Sequence, residues 1–210
     1  MIIKILDLGI SNIQSVINAF TKIEKKVEIC KNSHDFSNAD AYVLPGVGSF
    51  DVAMNNILSR NLQDSIHSEI IIKKKVLLGI CLGMQLFFTT GYENNKKTKG
   101  LNLISGDVKK LDLLDTNVHE FKLPHVGWND VNIKNSKGIY TDIDQHTDFY
   151  FIHSYYVMPK DKKIISSTTN NGVEFTSAIE FENIYGVQFH PEKSQKAGLK
   201  LLKNWCNLIG

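Results

Sequence analysis

Apolar runs alternate with helically spaced segments through the first half of the chain. Residues 2–8 form a continuous apolar run rich in β-branched side chains, which is typical of a strand buried on both faces. Residues 12–23 place their apolar side chains at the spacing of one helix face. This alternation predicts a mostly parallel α/β sheet flanked by helices. The other predicted elements of this half are strands at 27–30, 41–44 and 76–80 and helices at 50–59, 62–72 and 84–89.

The pattern changes beyond Gly100, where strand candidates follow one another with little helix between them. Consecutive strands predict an antiparallel portion appended to the parallel sheet. No Pro/Gly/Ser-rich linker or internal repeat interrupts the chain, so we expect residues 1–210 to form a single domain. The Asn/Lys-rich stretch 92–99 predicts a mobile loop. The predicted strands cover 106–111, 128–133, 149–157, 164–169, 173–180 and 184–189, and a final helix covers 194–208.

Charge and cysteine content argue against several classes of protein. The net charge is +2, and the lysine run at 73–75 is too short to predict a nucleic-acid surface. The apolar N-terminus reaches Asp7 too early for a signal peptide or a membrane span. Three cysteines without metal-ligand spacing favour a reducing compartment. We therefore expect a cytoplasmic protein with neither a nucleic-acid nor a membrane partner.

The segment GICLG, residues 79–83, has the form G-x-C-x-G. This pattern predicts a sharp turn from a strand into a helix, with Cys81 at the turn and glycines where neighbouring Cβ atoms would collide. A sulfur at the start of a helix is favoured as a thiolate. Because free cysteines are also common in protein cores, this motif alone leaves catalysis and packing equally open.

A base for Cys81 is offered by the segment YGVQFHPEKS, residues 185–194. An apolar strand delivers His190 at its end, and Pro191 holds the neighbouring backbone extended. Residues two apart in an extended segment point the same way, so Glu192 can orient the His190 imidazole. A thiolate nucleophile needs such a base and orienting group.

Acyl transfer also requires hydrogen-bond donors for the developing oxyanion. The N–H of Leu82, next to the nucleophile, is one candidate. The loop 45–48, with sequence PGVG, is another, because its glycines let a backbone N–H approach a ligand. The alternative for this loop is a plain turn between a strand and a helix.

Five motifs in order carry a resemblance that runs from residue 7 to the last helix. The set resembles the class I glutamine amidotransferases and, among them, the glutaminase subunits of imidazole glycerol phosphate synthase. The GYE at 91–93 departs from the expected Ser-Glu-Glu, and residues 9–12 lack the expected second glycine. The motifs are LPGVGSF (44–50), GICLGMQLFF (79–88), PHVGWN (124–129), FIHSYYV (151–157) and GVQFHPEKS (186–194).

The resemblance implies a glutaminase that forms a thioester on Cys81. His190 would protonate the leaving ammonia, and Glu192 would orient His190. Neither a cofactor nor a metal is implied. The implied oxyanion hole consists of Val47, Gly48 and Leu82, and the implied ligands of L-glutamine are Gly46, Gln85, Glu93, Ser154 and Tyr155.

Ammonia protonates quickly at neutral pH, so it must pass directly to an acceptor site. The sequence has no phosphate-cradling motif for such a site, which places the acceptor on another protein. The resemblance implies a heterodimer with a (β/α)8-barrel cyclase/synthase subunit. A buried core aromatic is the alternative interpretation of Trp128. The implied interface comprises Asn12, Pro124, His125, Trp128 and Asn129.

Two other functions remain open from the sequence. Relatives with the same motifs supply ammonia for amino-sugar synthesis in surface polysaccharide pathways, with a synthetase-type partner. A catalytically silent binding subunit belongs to a different class, although all triad residue types are present. Glutaminases of this type are nearly idle alone, so we also expect the oxyanion loop at Val47 to be misoriented in the isolated chain.

Overall fold

The computed structural model describes residues 1–93, 96–111 and 122–210. No helix in these ranges is long and apolar enough to span a bilayer. The α-helices are α1 (Ile13–Lys22), α2 (Phe50–Ser59), α3 (Leu62–His67), α4 (Leu82–Gln85) and α5 (Gln195–Cys206). The strands are β1 (Ile3–Leu6), β2 (Val27–Cys30), β3 (Ala41–Gly46), β4 (Val76–Cys81), β5 (Phe88–Glu93), β6 (Lys96–Lys99), β7 (Ile104–Lys110), β8 (His125–Asp130), β9 (Asn132–Ile133), β10 (Asp148–His153), β11 (Tyr155–Pro159), β12 (Ile165–Asn171), β13 (Val173–Phe181) and β14 (Ile184–Val187).

The main sheet has eight strands in the order β2-β1-β3-β4-β14-β13-β12-β9. The first five run parallel, and the last three continue the sheet antiparallel. Two smaller sheets have the orders β11-β7-β5-β6 and β10-β8. The predicted fold class, a mostly parallel sheet with an appended antiparallel portion, is confirmed.

Side chains of the parallel strands alternate between two apolar clusters, one on each face of the sheet. Ile3 and Ile5 of β1 belong to one cluster and Leu6 to the other. Helices α1 and α5 pack on the first face, where Phe20 and Trp205 meet edge to face with ring centroids 6.0 Å apart. Helices α2 and α3 pack on the second face. Burial on both faces explains why these strands appear in the sequence as continuous apolar runs.

Three segments leave the sheet at the same edge. Gly46 at the end of β3 is paired in register with Cys81 at the end of β4. On the other side of β4, Val187 of β14 is paired with Ile80, and the chain continues to His190. The carboxyl ends of parallel strands are the usual place for a binding site in such sheets. The fold thus brings the Gly46–Gly48 loop, Cys81 and His190 to one edge.

The structure corrects the expectations for residues 84–99. The predicted helix at 84–89 is wrong, because α4 ends after one turn and Phe88 begins β5. The predicted loop at 92–99 is also wrong for residues 92–93 and 96–99, since Tyr92 and Glu93 pair antiparallel with Lys97 and Lys96 of β6. Residues 94 and 95 of that prediction lie outside the described residues. Every side chain from Leu82 to Phe88 is buried, which hides the periodicity that would separate helix from strand.

Two other predicted elements are divided in the structure. The strand expected at 149–157 breaks at Ser154, so that β10 and β11 join different sheets. The Ser154 carbonyl accepts a hydrogen bond from the Leu111 N–H at the break, 2.9 Å away. The helix expected at 62–72 is α3 followed by the π-helix Ser68–Ile72.

Candidate active site

Cys81 lies at a strained turn between β4 and α4. Its φ is 54° and its ψ −112°, a conformation that residues with a side chain rarely adopt. A Cβ on Gly83 would overlap the carbonyl oxygen of Leu44, and a Cβ on Gly79 would overlap the Phe87 ring. The structure therefore has the sharp turn that the G-x-C-x-G pattern predicts. Since α4 is a single turn, it aligns fewer peptide dipoles behind the sulfur than the longer predicted helix would.

His190 and Glu192 form a buried pair beside Cys81. His190 Nδ1 lies 2.7 Å from Glu192 Oε1, and the side chains are 2% and 4% exposed. The predicted geometry differs in one respect. The carboxylate is reached through a 3-10 turn at Pro191–Lys193 and not along an extended segment. The turn still brings the two side chains together on the sheet edge.

The charge balance around His190 favours the imidazolium form. Burial on its own lowers the pKa of His190, but Cys81 and Glu192 together offset this effect and raise the pKa to about 10. The Nε2 atom is buried and makes no hydrogen bond within the described residues. The Cys81 sulfur nevertheless helps to raise the pKa of His190, which places the two groups close enough to exchange a proton.

Next to Cys81 is a pocket of about 170 Å³. Its lining includes Cys81, the whole implied oxyanion hole and three of the five implied glutamine ligands, while His190 and Glu192 lie outside the lining. Gly46 lies outside it as well, at the end of β3, where a Cβ would contact Leu82. The pocket is lined by Val47, Gly48, Cys81, Leu82, Gln85, Ile152, His153, Ser154 and Tyr155.

Glu93 lies outside this lining. Its Oε2 accepts a hydrogen bond from the N–H of Phe50, the first residue of α2, at 2.7 Å. A carboxylate in this position satisfies a free N–H at the start of the helix. The structure therefore shows Glu93 capping α2, and its role as a glutamine ligand stays a prediction.

A family model described as glutamine amidotransferase class-I matches residues 4–208. The chain belongs to the class I glutamine amidotransferases. Imidazole glycerol phosphate synthase subunit HisH of Pelagibacter ubique is 42% identical over 99% of this chain and 100% of its own length. HisH 1 of Campylobacter jejuni strain RM1221 is also 42% identical, over 98% of this chain and 100% of its own length. The prediction of an amidotransferase enzyme is confirmed.

A solved structure shows the same fold. A chain in the structure of PurLQS from Thermotoga maritima superposes with a TM-score of 0.72, covering 100% of this chain and 99% of its own. Its sequence identity to this amidotransferase is 15%, so the similarity supports the fold alone.

Three site residues of this amidotransferase were not identified from the sequence. Ile152 and His153 line the pocket, and the Ile152 carbonyl lies 3.7 Å from the Cys81 sulfur. Gln188 is fully buried, and its Nε2 lies 3.5 Å from the same sulfur. Gln188 stands two residues before His190 in the strand predicted at 184–189, so the alternation of side chains along that strand could have indicated it.

Two buried histidines, His153 in the pocket wall and His125 at the start of β8, are joined by a hydrogen bond. The Tyr155 carbonyl can only accept, so His153 Nδ1 donates to it over 2.9 Å and His153 Nε2 is the acceptor. His125 Nδ1 then donates to His153 Nε2 over 3.1 Å. Finally, Asn129 Nδ2 donates to His125 Nε2 over 3.2 Å. The direction of every hydrogen bond is consistent with two neutral rings.

The free energy of unfolding should fall in acid because of these rings. Burial lowers the pKa of His125 to about 4 and that of His153 to about 3, and the charge of His190 adds to the second effect. Below pH 6.5 the two histidines bind protons in the unfolded chain but stay neutral in the folded chain, which favours unfolding. Each ring should therefore contribute a loss of about 1.4 kcal/mol per pH unit between about pH 6 and 4.

Urea unfolding at several pH values measures this loss. The free energy of unfolding should fall less steeply with decreasing pH in His125→Asn than in the unmodified chain. The control His34→Gln alters a side chain that is 78% exposed and should leave the slope unchanged. Equal slopes in His125→Asn and the unmodified chain would contradict the assignment.

The residues named for a partner interface differ in exposure. Trp128 is 47% exposed, so the alternative of a buried core aromatic is wrong. Pro124 and Asn12 are exposed, and Asn12 caps α1 by accepting from the Ser15 N–H at 3.3 Å. His125 is buried. Asn129, half-buried, also donates to the Asn170 carbonyl over 2.9 Å.

Proposed function

We propose that this chain is the glutaminase subunit of imidazole glycerol phosphate synthase, with a role in histidine biosynthesis. It hydrolyses L-glutamine to glutamate and ammonia and passes the ammonia to a (β/α)8-barrel cyclase/synthase subunit. The proposal is carried by the strained Cys81, which lines the pocket and lies beside the His190–Glu192 pair. Relatives named HisH that match over nearly the full length support the pathway. We also propose that residues 1–210 act as one amidotransferase unit.

The proposed reaction uses Cys81 as the nucleophile. Its sulfur attacks the side-chain amide carbon of glutamine, forming a C–S bond and an oxyanion. His190 Nε2 gives its proton to the amide nitrogen, and the C–N bond breaks to release ammonia. Water then attacks the thioester, His190 takes its proton, and glutamate leaves with the sulfur restored. Glu192 Oε1 holds His190 in the orientation and charge state that this exchange requires.

The oxyanion would be stabilised by backbone N–H groups of Val47, Gly48 and Leu82. Gly48 has a φ of +96° and open space around it, so this peptide is free to turn toward a ligand. We propose that in the isolated chain the Val47 peptide points away from the oxyanion site, and that the partner turns it. The same pocket would hold glutamine through Gln85, Ser154 and Tyr155, which line it. Gly46 and Glu93 are further proposed glutamine ligands, although both lie outside this lining.

The proposed docking surface is the outer face of the β8–β10 ribbon. Val126 is 53% exposed and pairs across the strands with exposed Ile152, which also lines the pocket. Trp128 pairs with Tyr150 on the same face, at a ring-centroid distance of 6.0 Å. Exposed aromatic and aliphatic side chains of this kind are typical anchors of protein interfaces. We propose a cytoplasmic heterodimer that docks on this face, and the three free cysteines support a reducing compartment.

Glutamate release with and without the partner tests the proposal. The cyclase of the same organism, with its nucleotide ligand, should stimulate the reaction about 5- to 150-fold.

The docking surface is tested by Trp128→Ser. This variant should raise the partner concentration that gives half-maximal stimulation by about tenfold or more. The control Ile72→Ser alters an exposed side chain just before the amino end of β4, at the opposite sheet edge, and should change nothing. If a cyclase that is active on free ammonia gives no stimulation, the amino-sugar pathway and its synthetase become the next partner to test.

A further inference from the structure

We infer that Gln188 is a further catalytic residue, whose side-chain amide donates a hydrogen bond to the Cys81 sulfur and stabilises the thiolate. The inference rests on the proposed function of Cys81 as the nucleophile. Gln188 Nε2 lies 3.5 Å from the sulfur, within the range of an N–H···S hydrogen bond. The side chain is fully buried, so water does not compete for this contact.

The orientation of the Gln188 amide follows from its neighbours. Gln85 Nε2 lies 2.9 Å from the Tyr155 carbonyl, which can only accept, and this fixes the Gln85 nitrogen as a donor. The same nitrogen lies 3.0 Å from Gln188 Oε1 and donates its second hydrogen there. The oxygen of Gln188 is thereby assigned to Gln85. Its NH2 group must face the Cys81 sulfur.

The two partners of the sulfur respond differently to its charge. As a thiol, Cys81 donates to the Ile152 carbonyl at 3.7 Å and accepts from Gln188. As a thiolate it has no hydrogen to give Ile152, whereas the bond from Gln188 becomes charge-assisted and stronger. Gln188 therefore favours the reactive form selectively. It acts alongside His190, which lies two residues further along and supplies the opposite charge.

Gln188 also connects the sulfur to the pocket. Gln85 lines the pocket and is hydrogen-bonded to Gln188, so one amide separates the side chain predicted to bind glutamine from the nucleophile. A purely structural interpretation would give Gln188 only the task of holding Gln85. The two interpretations differ in which atom of Gln188 matters: Oε1 for holding Gln85, and Nε2 for the thiolate.

Two variants separate these roles. Gln188→Met has a similar volume and length but loses both polar atoms. Gln188→Glu keeps an oxygen as acceptor for Gln85 and places a second oxygen, in place of the donor, at the sulfur. If Gln188 stabilises the thiolate, both variants should make the Cys81 thiolate less stable. The effect of Gln188→Glu should be larger than that of Gln188→Met. If Gln188 only holds Gln85, glutamate should behave like the unmodified chain.

The readout is the rate of Cys81 alkylation by iodoacetamide between pH 5 and 9, measured on the full chain by peptide mass spectrometry. It needs neither glutamine nor the partner, so its result is independent of the pathway. Burial raises the pKa of Cys30 to about 12 and that of Cys206 to about 11, which keeps both other thiols unreactive in this range. In Gln188→Met the rate at pH 7 should fall about 10- to 100-fold, and the half-maximal pH should rise by about one to two units.

A folded Gln188→Met variant with the alkylation profile of the unmodified chain would overturn the inference. Thermal melting followed by circular dichroism establishes that each variant is folded. Where the buried charge of Gln188→Glu prevents folding, Gln188→Met decides alone. Failure of partner stimulation, by contrast, would alter the proposed pathway and leave the alkylation result standing.

Discussion

Replacing Cys81 with alanine should abolish glutamate release, with a loss of at least about 10,000-fold in the presence of the partner. Among the residues that the structure describes, Cys81 is the nucleophile placed in the pocket to form the thioester, and neither His190 nor the oxyanion donors can substitute for it. Alanine is smaller than cysteine and keeps the turn, although the positive φ at this position remains strained. A coupled glutamate dehydrogenase assay measures the release directly.

The other two cysteines supply matched controls. Cys30 ends β2 and Cys206 ends α5, and both are buried and free. Cys30→Ala and Cys206→Ala should each keep activity within a few fold, because they remove a sulfur from the core without touching the pocket. A catalytically silent binding subunit would release no glutamate before or after any of these changes. Undiminished release by Cys81→Ala would exclude the proposed mechanism.

Gly83→Ala should destabilise the fold by about 3 kcal/mol or more. The added Cβ would overlap the carbonyl oxygen of Leu44, which belongs to β3 in the middle of the parallel sheet. A backbone oxygen there cannot move without disrupting the pairing of β3 with β4. The turn that presents Cys81 should be displaced together with α4. Activity should therefore fall even in molecules that stay folded.

Thermal unfolding measures the first of these effects. For a chain of this size, the loss corresponds to a melting temperature lower by roughly 10 °C. Gly210→Ala is the control, since no atom of the described residues lies within 4 Å of a Cβ at position 210. Melting of Gly83→Ala at the temperature of the unmodified chain would show that α4 can shift away from β3 at little cost.

Most of the fold could be predicted because local patterns and final burial agree in the parallel half. The strand Val27–Cys30 and the helix Phe50–Ser59 have the predicted bounds. The expectations failed where every side chain is buried or where pairing is decided by distant residues. Leu86 and Phe88 are buried from all sides, so their spacing could not separate a helix from the start of β5. The lysine-rich β6 becomes a strand because β5 offers it backbone partners, which no local pattern records.

The site divides in the same way. The sequence by itself determined the strained turn, since glycines stand two positions either side of Cys81, and it determined the proximity of His190 to Glu192. Only the tertiary structure decided that Glu93 caps α2, that His125 is buried behind the pocket, and that Gln188 contacts the Cys81 sulfur. The first set depends on residues a few positions apart, whose geometry is fixed by the local backbone. The second depends on which segments meet across the sheet edge, and those contacts join residues that are far apart in the chain.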